Sequence, residues 1–230
     1  MDISEMVDPA STSEAANSTS APSQCSDDNA IAKIEVPPSS AADDEQLTEA
    51  LTALVNAVYS TAERGIYSTD FERTSTKDVA DLLRAGKLAI AYLPRPDGNE
   101  DAGSFHLTRG TPIGCISMKQ ISPTTGEFGM LAVDPAHRGA GVGGGLVRFA
   151  EERCYRNLGL GAMRLELLAP IHFEHVGKTR LQAWYESLGY VRVELRDFKK
   201  AYPHLHELLS GPTEFRVFEK KLVDWERLID

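Results

Sequence analysis

The sequence predicts an α/β protein whose sheet is mixed but mostly antiparallel, with helices on both faces. Apolar stretches at 88–93, 113–121 and 128–133 follow one another with turn or loop residues between them, which is typical of an antiparallel meander. An amphipathic helix then separates the third stretch from another at 163–168, and such a strand–helix–strand unit makes its two strands parallel. The predicted sheet therefore has one parallel pair within an antiparallel frame.

Residues 1–29 differ in composition from the rest of the chain. They are rich in Ser, Ala, Thr and acidic side chains and contain almost no large apolar ones, so they cannot repay the entropy lost on ordering. The sequence predicts a disordered tail over 1–29 and one folded domain over 30–230. Six acidic residues and no basic ones lie in 1–28, so only −4 of the formal net charge of −10 belongs to the folded part.

The composition of the folded part disfavours several classes of function. A mildly acidic domain lacks the clustered basic face that duplex nucleic acid requires, while it suits a cationic amine. No apolar run reaches the length of a membrane span and no secretory signal is present, which predicts a cytoplasmic protein, with the nucleus as the alternative. Three cysteines without Cys-x-x-Cys spacing favour neither disulfides nor a cysteine-based zinc site.

Two helices are predicted between the first two strands. A short apolar stretch at 31–36, stopped by two prolines, gives the first strand. Asp43 or Asp44 then begins a helix whose apolar residues recur at three- and four-residue spacing. Ser75, with Asp78 three residues later, is the capping pattern that begins the second helix.

Three further elements complete the chain. A helix ends at Gly189 and a strand at 190–195 begins at once. The segment 198–209 is predicted to be helical, with an interruption or a start near Pro203. A last strand at 215–220 pairs beside strand six or strand five, and the predicted strands then number seven.

The rest of the chain is organised around the stretch 127–152. Its apolar run ends at Asp134-Pro135, and five glycines between positions 139 and 145 lead into an amphipathic helix. Glycines let the backbone approach a ligand closely, and a helix start offers free N–H groups and the positive end of the dipole. This stretch therefore predicts a phosphate- or pyrophosphate-binding turn.

Two other nucleotide-binding patterns fit this turn less well. Gly139-x-Gly141-x-x-Gly144 has the spacing of the dinucleotide fingerprint, and Glu166 lies near the expected position of its ribose-binding acid. In that fold, however, the first glycine follows its strand almost directly, whereas residues 134–138 intervene here. A P-loop is excluded because no Gly-Lys-Ser/Thr follows the glycines.

A different pattern fits in full. A strand ending in Val-Asp-Pro at 133–135, then Arg138-x-x-Gly141-x-Gly143, then an apolar helix, occur in order. This arrangement resembles the pyrophosphate-binding motif of the GNAT superfamily, the acetyl-CoA-dependent N-acyltransferases.

A second segment supports the same resemblance. In 181–190, Tyr185 stands four residues before Gly189, where a helix ends and an aromatic residue begins the next strand. This segment is similar to the family's later helix–strand motif, in a form where Trp184 precedes the tyrosine. The two motifs occur in the family's order with a strand between them.

The resemblance implies a GNAT-type seven-stranded sheet in which the central parallel strands splay apart, with acetyl-CoA as the acyl donor. In the family, amides of the glycine turn wrap the pyrophosphate of the coenzyme, and the preceding strand offers main-chain groups to its pantetheine arm. Lys178 departs from the family's pattern, since many relatives carry there an asparagine that contacts the coenzyme. The residues implicated here are Arg138, Gly139, Ala140, Gly141, Val142, Gly143 and Gly144 for the pyrophosphate, and Leu131, Ala132 and Val133 for the pantetheine.

Acyl transfer from a thioester to an amine needs a neutral amine, a polarised carbonyl and a proton for the departing thiolate. The resemblance places Tyr185 as the phenol that protonates the sulfur; the alternative is an aromatic packed between helix and sheet. Glu127, eleven residues before Arg138, has the spacing of the basic glutamate in histone-type members of the family. Its alternative is an exposed acid at a strand end.

The acceptor side is predicted from two other segments. Family members often use the connection between the first two helices as one wall of the acceptor site, although such residues are equally compatible with a plain surface. A His-x-x-His pair after the fifth strand contacts the substrate or supplies the base in this interpretation, and no third ligand suggests a metal. The candidates are Glu63, Arg64, Tyr67 and Arg73 in the connection, and His172 and His175 after the strand.

The sequence thus predicts an N-acetyltransferase that moves an acetyl group from acetyl-CoA to a primary amine by direct attack in a ternary complex. Cys115 and Cys154 lie within apolar segments and are poor candidates for a covalent intermediate. A small-molecule acceptor is preferred, with a protein or peptide N-acetyltransferase and a non-catalytic acyl-CoA-binding module as alternatives. Neither a nucleic acid, a membrane nor a metal is an expected partner, and the protein is a monomer or homodimer in this interpretation.

Overall fold

The computed structural model describes residues 32–68, 71–93 and 110–222, so the predictions for the 1–29 tail and the 94–103 loop lie outside it. None of the helices in these ranges is long and apolar enough to cross a membrane. The strands are β1 Lys33–Glu35, β2 Leu88–Leu93, β3 Thr111–Gln120, β4 Thr125–Val133, β5 Ala162–Pro170, β6 Val191–Arg196 and β7 Thr213–Lys221. The α-helices are α1 Glu45–Ala62, α2 Thr76–Arg84, α3 Val142–Glu152, α4 Val176–Ser187, α5 Phe198–Ala201 and α6 Pro203–His206.

Seven strands form one mixed sheet in the order β1-β2-β3-β4-β5-β7-β6. Only the β4–β5 pair is parallel among the described pairs, and the other neighbours are antiparallel. The predicted fold class is therefore confirmed. The last strand, β7, lies between β5 and β6 and pairs with both, whereas the sequence left these two neighbours as alternatives.

The central parallel pair opens into a V. Pairing between β4 and β5 is confined to Thr125–Glu127 and Ala162–Arg164, while both strands continue well beyond it. Near this point β4 carries a bulge, where Met130 has a φ of +45° and the register with β3 shifts. A left-handed conformation costs a residue other than glycine about 1–2 kcal/mol, so packing on both sides must hold it. The strands thus leave a gap between their C-terminal halves.

Helices cover both faces of the sheet. On one face α3 and α4 pack onto Phe128 and Leu165, with Leu146 and Tyr185 fully or almost fully buried. On the other face α1 and α2 form a second buried cluster with residues of β2 and β3. The gap between β4 and β5 therefore connects two helical layers.

Helix starts follow the local signals in the sequence. The Asp44 side chain accepts from the Leu47 N–H at 3.1 Å, and Ser75 and Asp78 form a reciprocal capping box. These caps confirm the predicted starts of α1 and α2. The segment after β6 is two short helices, with Pro203 at the first position of the second, as its fixed φ allows.

Candidate active site

The glycine turn before α3 leaves a helix N-terminus without a side-chain cap. Gly139 and Gly141 have φ values of +85° and +81°, a conformation that glycine adopts without strain. The first backbone bond of the helix runs from the Gly145 N–H to the Gly141 carbonyl at 2.9 Å. The amides of 142–144 precede that bond and have no intrahelical acceptor.

This helix start differs from those of the other long helices. The first turns of α1, α2 and α4 are capped by the side chains of Asp44, Ser75 and His175, whereas Gly141 at the start of α3 provides no such group. Free amides and the positive end of the helix dipole favour an anion at that point.

There is also open space above the turn. A Cβ added at Gly139, Gly141 or Gly144 would meet nothing within 4 Å, and residues 138–141 are exposed. The turn predicted to hold a pyrophosphate, from Arg138 to Gly144, therefore faces space that an anionic group can occupy.

Leu131, Ala132 and Val133 lie on the part of β4 that has separated from β5. Leu131 and Val133 pack against the core under α3 and α4, and Ala132 packs on the α1 side. The backbone of this segment thus runs along the gap, and β5 does not take up its hydrogen-bonding groups. Main-chain groups in this position suit the amides of a pantetheine arm.

Tyr185 of α4 lies at the inner end of the gap. Its ring contacts those of Trp184 and Phe128, with centroids 5.0 and 5.9 Å apart, and only 6% of the residue is exposed. Burial raises the pKa of its phenol, and the nearby Tyr59 adds to this effect. The phenol therefore stays protonated at neutral pH, and its ring also fills the core, as the alternative interpretation expected.

An ion pair crosses the gap. Lys178 of α4 donates to Glu63, at the C-terminal end of α1, with a distance of 3.2 Å from Nζ to Oε1. These side chains are only 7% and 8% exposed. Burial lowers the pKa of Lys178, and the Glu63 charge opposes that shift. The sequence named both residues but did not predict their contact.

Two tyrosines and an arginine surround Glu63. The Arg73 guanidinium lies over the Tyr59 ring, 4.8 Å from its centroid. Burial raises the pKa of Tyr59 to about 12 and also raises that of Tyr67. Three of the four predicted residues of the connection, Glu63, Tyr67 and Arg73, therefore share one polar cluster, while Arg64 points into solvent.

Glu127 lies at the closed end of the V, opposite Arg164 in the last β4–β5 pair. Its carboxylate contacts the Lys119 ammonium at 2.7 Å and is 12% exposed. Burial is the largest cause that raises the pKa of Glu166 on β5, and the negative charge of Glu127 raises it further. Arg196 and Tyr202 donate to the Glu166 carboxylate, the latter at 3.1 Å.

The two histidines lie at the C-terminal end of β5. His175 accepts from the Lys178 N–H at 3.2 Å and so caps α4, and a ring nitrogen of His172 lies 3.1 Å from the Pro212 carbonyl oxygen. Both line a cleft of about 440 Å³ together with Lys178 and Arg216. The structure thus gives His175 a role in starting α4, besides the predicted one near a substrate.

The α1–α2 connection is fastened to the segment before β7. The Ser68 N–H donates to the Leu208 carbonyl at 2.7 Å, and the Ser210 N–H donates to the Ile66 carbonyl at 2.9 Å. The Ser210 hydroxyl donates to the Ile66 carbonyl as well, at 3.0 Å. These bonds hold the α1–α2 connection, which contains Tyr67, against the segment before β7.

A family model for the acetyltransferase (GNAT) domain matches residues 101–192, which include the glycine turn, β4, β5 and Tyr185. This part of the chain is therefore similar to the GNAT acetyltransferase domain. No curated protein sequence matches the chain.

Solved structures with the GNAT fold resemble the chain at low identity. An aminoglycoside 6′-N-acetyltransferase complexed with coenzyme A has a TM-score of 0.56 and 15% identity, and the match covers 83% of this chain and 97% of that one. The NatC complex bound to Gag peptide and CoA has a TM-score of 0.52 and 18% identity, and the match covers 83% of this chain and 98% of that one.

A third structure is longer. N-acetylglutamate synthase from Neisseria gonorrhoeae, complexed with coenzyme A and N-acetyl-glutamate, has a TM-score of 0.52 and 17% identity. The match covers 84% of this chain but only 35% of that protein. At such identities these likenesses establish the GNAT fold, while the acceptors of the three proteins are of different kinds.

Sequence patterns did not mark every residue near this polar cluster. By its sequence, Tyr59 is one of the apolar positions of the first predicted helix, and Glu166 fits only the weaker dinucleotide pattern. Arg196 and Tyr202 were not singled out at all. In β5, Arg164 and Glu166 alternate with the buried Met163 and Leu165. This alternation places both charged side chains on the same face of the sheet, and it is one sequence pattern that points to Glu166.

Alkaline titration tests five tyrosines that are partly or fully buried: Tyr59, Tyr67, Tyr185, Tyr190 and Tyr202. Burial is the largest cause that raises each pKa above the ordinary 10.0. The pKa rises to about 12 for Tyr59 and Tyr202. The pKa values of Tyr67, Tyr185 and Tyr190 are raised further. Their contribution to stability is fully present below the unfolded pKa and is lost as pH rises through the folded values.

We expect the free energy of unfolding to fall above about pH 10. We also expect phenolate absorbance to appear at a higher pH in the native protein than in the urea-unfolded chain. The urea-unfolded chain is the control. Coincident titrations of the two states would contradict the burial of these phenols.

Proposed function

We propose that this chain transfers an acetyl group from acetyl-CoA to the primary amine of a small molecule, by direct attack in a ternary complex. The observation that carries the proposal is the uncapped start of α3 at the mouth of a gap between splayed parallel strands. One element offers amides to a diphosphate, and the other offers a path through the sheet for the acyl arm. Coenzyme A in the similar solved structures supports this assignment.

The residues divide the chemistry between them. Arg138 and the amides up to Gly144 bind the diphosphate, and the main chain of 131–133 orients the pantetheine. Tyr185 supplies the proton for the departing thiolate, since burial keeps its phenol protonated. A carboxylate must take the proton of the amine, and Glu127 is the candidate that the sequence predicts.

Direct attack is favoured over a covalent cysteine intermediate. Cys115 and Cys154 are both buried, and burial raises the pKa of each thiol, to about 12 for Cys115. A thiol nucleophile must be ionised to react, so neither residue suits that role. The amine itself is therefore the nucleophile in the proposed reaction.

A small acceptor is supported by the fastening of the α1–α2 connection, which contains candidate acceptor residues. The hydrogen bonds from Ser68 and Ser210 hold the α1–α2 connection against the segment before β7. A loop fastened in this way leaves less room for a protein segment than for a small molecule. A protein or peptide acceptor remains the second candidate, because one similar structure contains a bound peptide.

The decisive experiment offers the full chain acetyl-CoA and a library of small amines, peptides with free N-termini and lysine peptides. We expect thiol release and a mass increase of one acetyl group on some of the small amines. Acetylation of peptides alone would overturn the choice of acceptor. Tight acetyl-CoA binding without turnover on any amine would support the non-catalytic module instead.

Tyr185→Phe is expected to lower kcat roughly tenfold or more at an unchanged acetyl-CoA Kd, because a general acid contributes at least that much and the ring is kept. Steady-state kinetics and a binding titration measure the two quantities. Tyr155→Phe, in the same core but outside the proposed site, is the control. Equal kcat values for both variants would show that Tyr185 only packs.

A further inference from the structure

The Glu63–Lys178 pair lies in the gap between the splayed strands. Glu63 ends α1 on one face of the sheet and Lys178 belongs to α4 on the other, yet their side chains meet at 3.2 Å. This contact is possible because β4 and β5 are not paired beyond Glu127 and Arg164. The pair therefore joins the helix layers on the two faces of the sheet.

One oxygen of Glu63 is left free. Lys178 binds Oε1, whereas Oε2 is buried and has no hydrogen-bond partner among the described residues. A buried carboxylate oxygen without a donor is costly, and such atoms concentrate where a ligand completes the site. The free oxygen thus calls for a donor such as an amine N–H.

The groups that face Glu63 come from three elements. They are Tyr59 of α1, Tyr67 and Arg73 of the connection, and Lys178 of α4. The phenols are neutral, so the surroundings contain two cations and one carboxylate. Both cations destabilise a bound ammonium relative to the neutral amine that acyl transfer requires, so they favour the loss of its proton to Glu63.

Tyr59 links Glu63 to the reaction centre. The Tyr59 hydroxyl lies beside the Leu131 backbone, and this hydrogen bond lowers the pKa of Tyr59 against the effect of burial. The negative charge of Glu63 raises the same pKa. On its other side Tyr59 interacts with Tyr185, the proposed acid. The Tyr59 side chain therefore lies between Glu63 on one side and Tyr185 and the unpaired part of β4 on the other.

Glu127 is less favourably placed. It lies in the closed part of the V, and the Lys119 ammonium occupies its carboxylate at 2.7 Å. Glu63 lies in the open part and keeps one oxygen free.

We propose that Glu63 binds the acceptor amine through Oε2 and takes its proton, while Lys178 holds the carboxylate through Oε1. This inference rests on the acetyltransferase function proposed above. The ammonium gives one proton to Glu63, and the neutral nitrogen forms the C–N bond as the C–S bond breaks. Tyr185 protonates the thiolate and regains a proton from the attacking nitrogen, so the products are the amide, the thiol and the proton on Glu63.

The test compares the double variant Glu63→Gln/Lys178→Met with the wild type, at saturating acetyl-CoA and with an aliphatic amine that the wild type acetylates. Removing both charges avoids an unpaired lysine in the interior. We expect kcat/KM for the amine to fall about a hundredfold at neutral pH. We also expect this loss in kcat/KM to become smaller as pH rises, in proportion to the fraction of neutral amine in solution. At high pH the amine has already lost its proton to solvent, so Glu63 is no longer needed to remove it.

Glu63→Asp keeps a carboxylate charge near Lys178 and shortens the side chain by one methylene, so the lysine is not left without a counter-charge. It is expected to be slower while keeping the pH profile of the wild type. Glu152→Gln, which removes an exposed acid of α3, is the control for charge.

A double variant within threefold of the wild type would overturn the proposal, and so would a loss that is the same at every pH. A pH-dependent loss in Glu127→Gln instead would assign the base to Glu127. No acetylation of any amine by the wild type would refute the proposed function itself, which is a different result from these.

Discussion

The substitution Gly144→Glu is expected to weaken coenzyme A binding about a hundredfold without unfolding the protein. Gly144 lies in the first turn of α3, where a Cβ meets nothing within 4 Å, so the new side chain fits. At about 6 Å, with an effective dielectric constant of about 20, one added negative charge opposes one charge of a diphosphate by about 3 kcal/mol. That energy corresponds to about two orders of magnitude in Kd.

The fold is expected to tolerate this change well. A glutamate favours a helix more than glycine does, and a carboxylate in the first turn suits the helix dipole. Gly141 is a poorer position for the same test, because its φ of +81° would strain any L-residue.

Gly144→Gln is the matched control, since it has the same size without the charge. Titration calorimetry with coenzyme A on both variants gives the comparison, and thermal unfolding verifies the fold. If the two variants bind coenzyme A equally, the diphosphate does not lie at this turn.

The substitution Glu151→Gln is expected to lower the free energy of unfolding by roughly 3 kcal/mol. Glu151 is 2% exposed, and its carboxylate accepts from the Tyr190 hydroxyl at 2.7 Å and from the Lys220 ammonium at 2.9 and 3.0 Å. The amide of glutamine keeps one acceptor but leaves Lys220 without its counter-ion. These bonds tie α3 to β7 and to the start of β6, so their loss weakens the packing of that helix layer.

Urea unfolding measures this effect, with Glu152→Gln as the control on the neighbouring residue. Glu152 pairs with Arg156 on the surface, where both side chains are about half exposed, and such pairs contribute at most about 1 kcal/mol. Adding Lys220→Met to Glu151→Gln should recover part of the lost stability, because the uncompensated charge is gone. Equal losses for Glu151→Gln and Glu152→Gln would contradict the buried network.

Local signals accounted for most of the secondary structure. The caps at Asp44 and Ser75 form as predicted, and β2 has the predicted bounds of 88–93. These features depend on residues within a few positions of one another, so the sequence displays them directly. The glycine turn belongs to the same class, because its spacing and the helix start that follows it are local.

Long-range contacts were beyond such reasoning. Glu151 falls in a helix among polar neighbours, and nothing nearby marks it as buried beside Lys220, 69 residues later. The Glu63–Lys178 contact joins residues 115 positions apart on opposite faces of the sheet. The position of β7 between β5 and β6 depends likewise on which sheet edges are free once the core has formed.

By itself the sequence determined the order and type of the elements, the glycine turn and the GNAT resemblance, because each depends on spacings of a few residues. Only the tertiary structure decided which charges meet in the gap between β4 and β5 and which carboxylate keeps a free oxygen there. The reason is physical: burial and pairing depend on the packing of both helix layers against one sheet, which brings together side chains far apart along the chain.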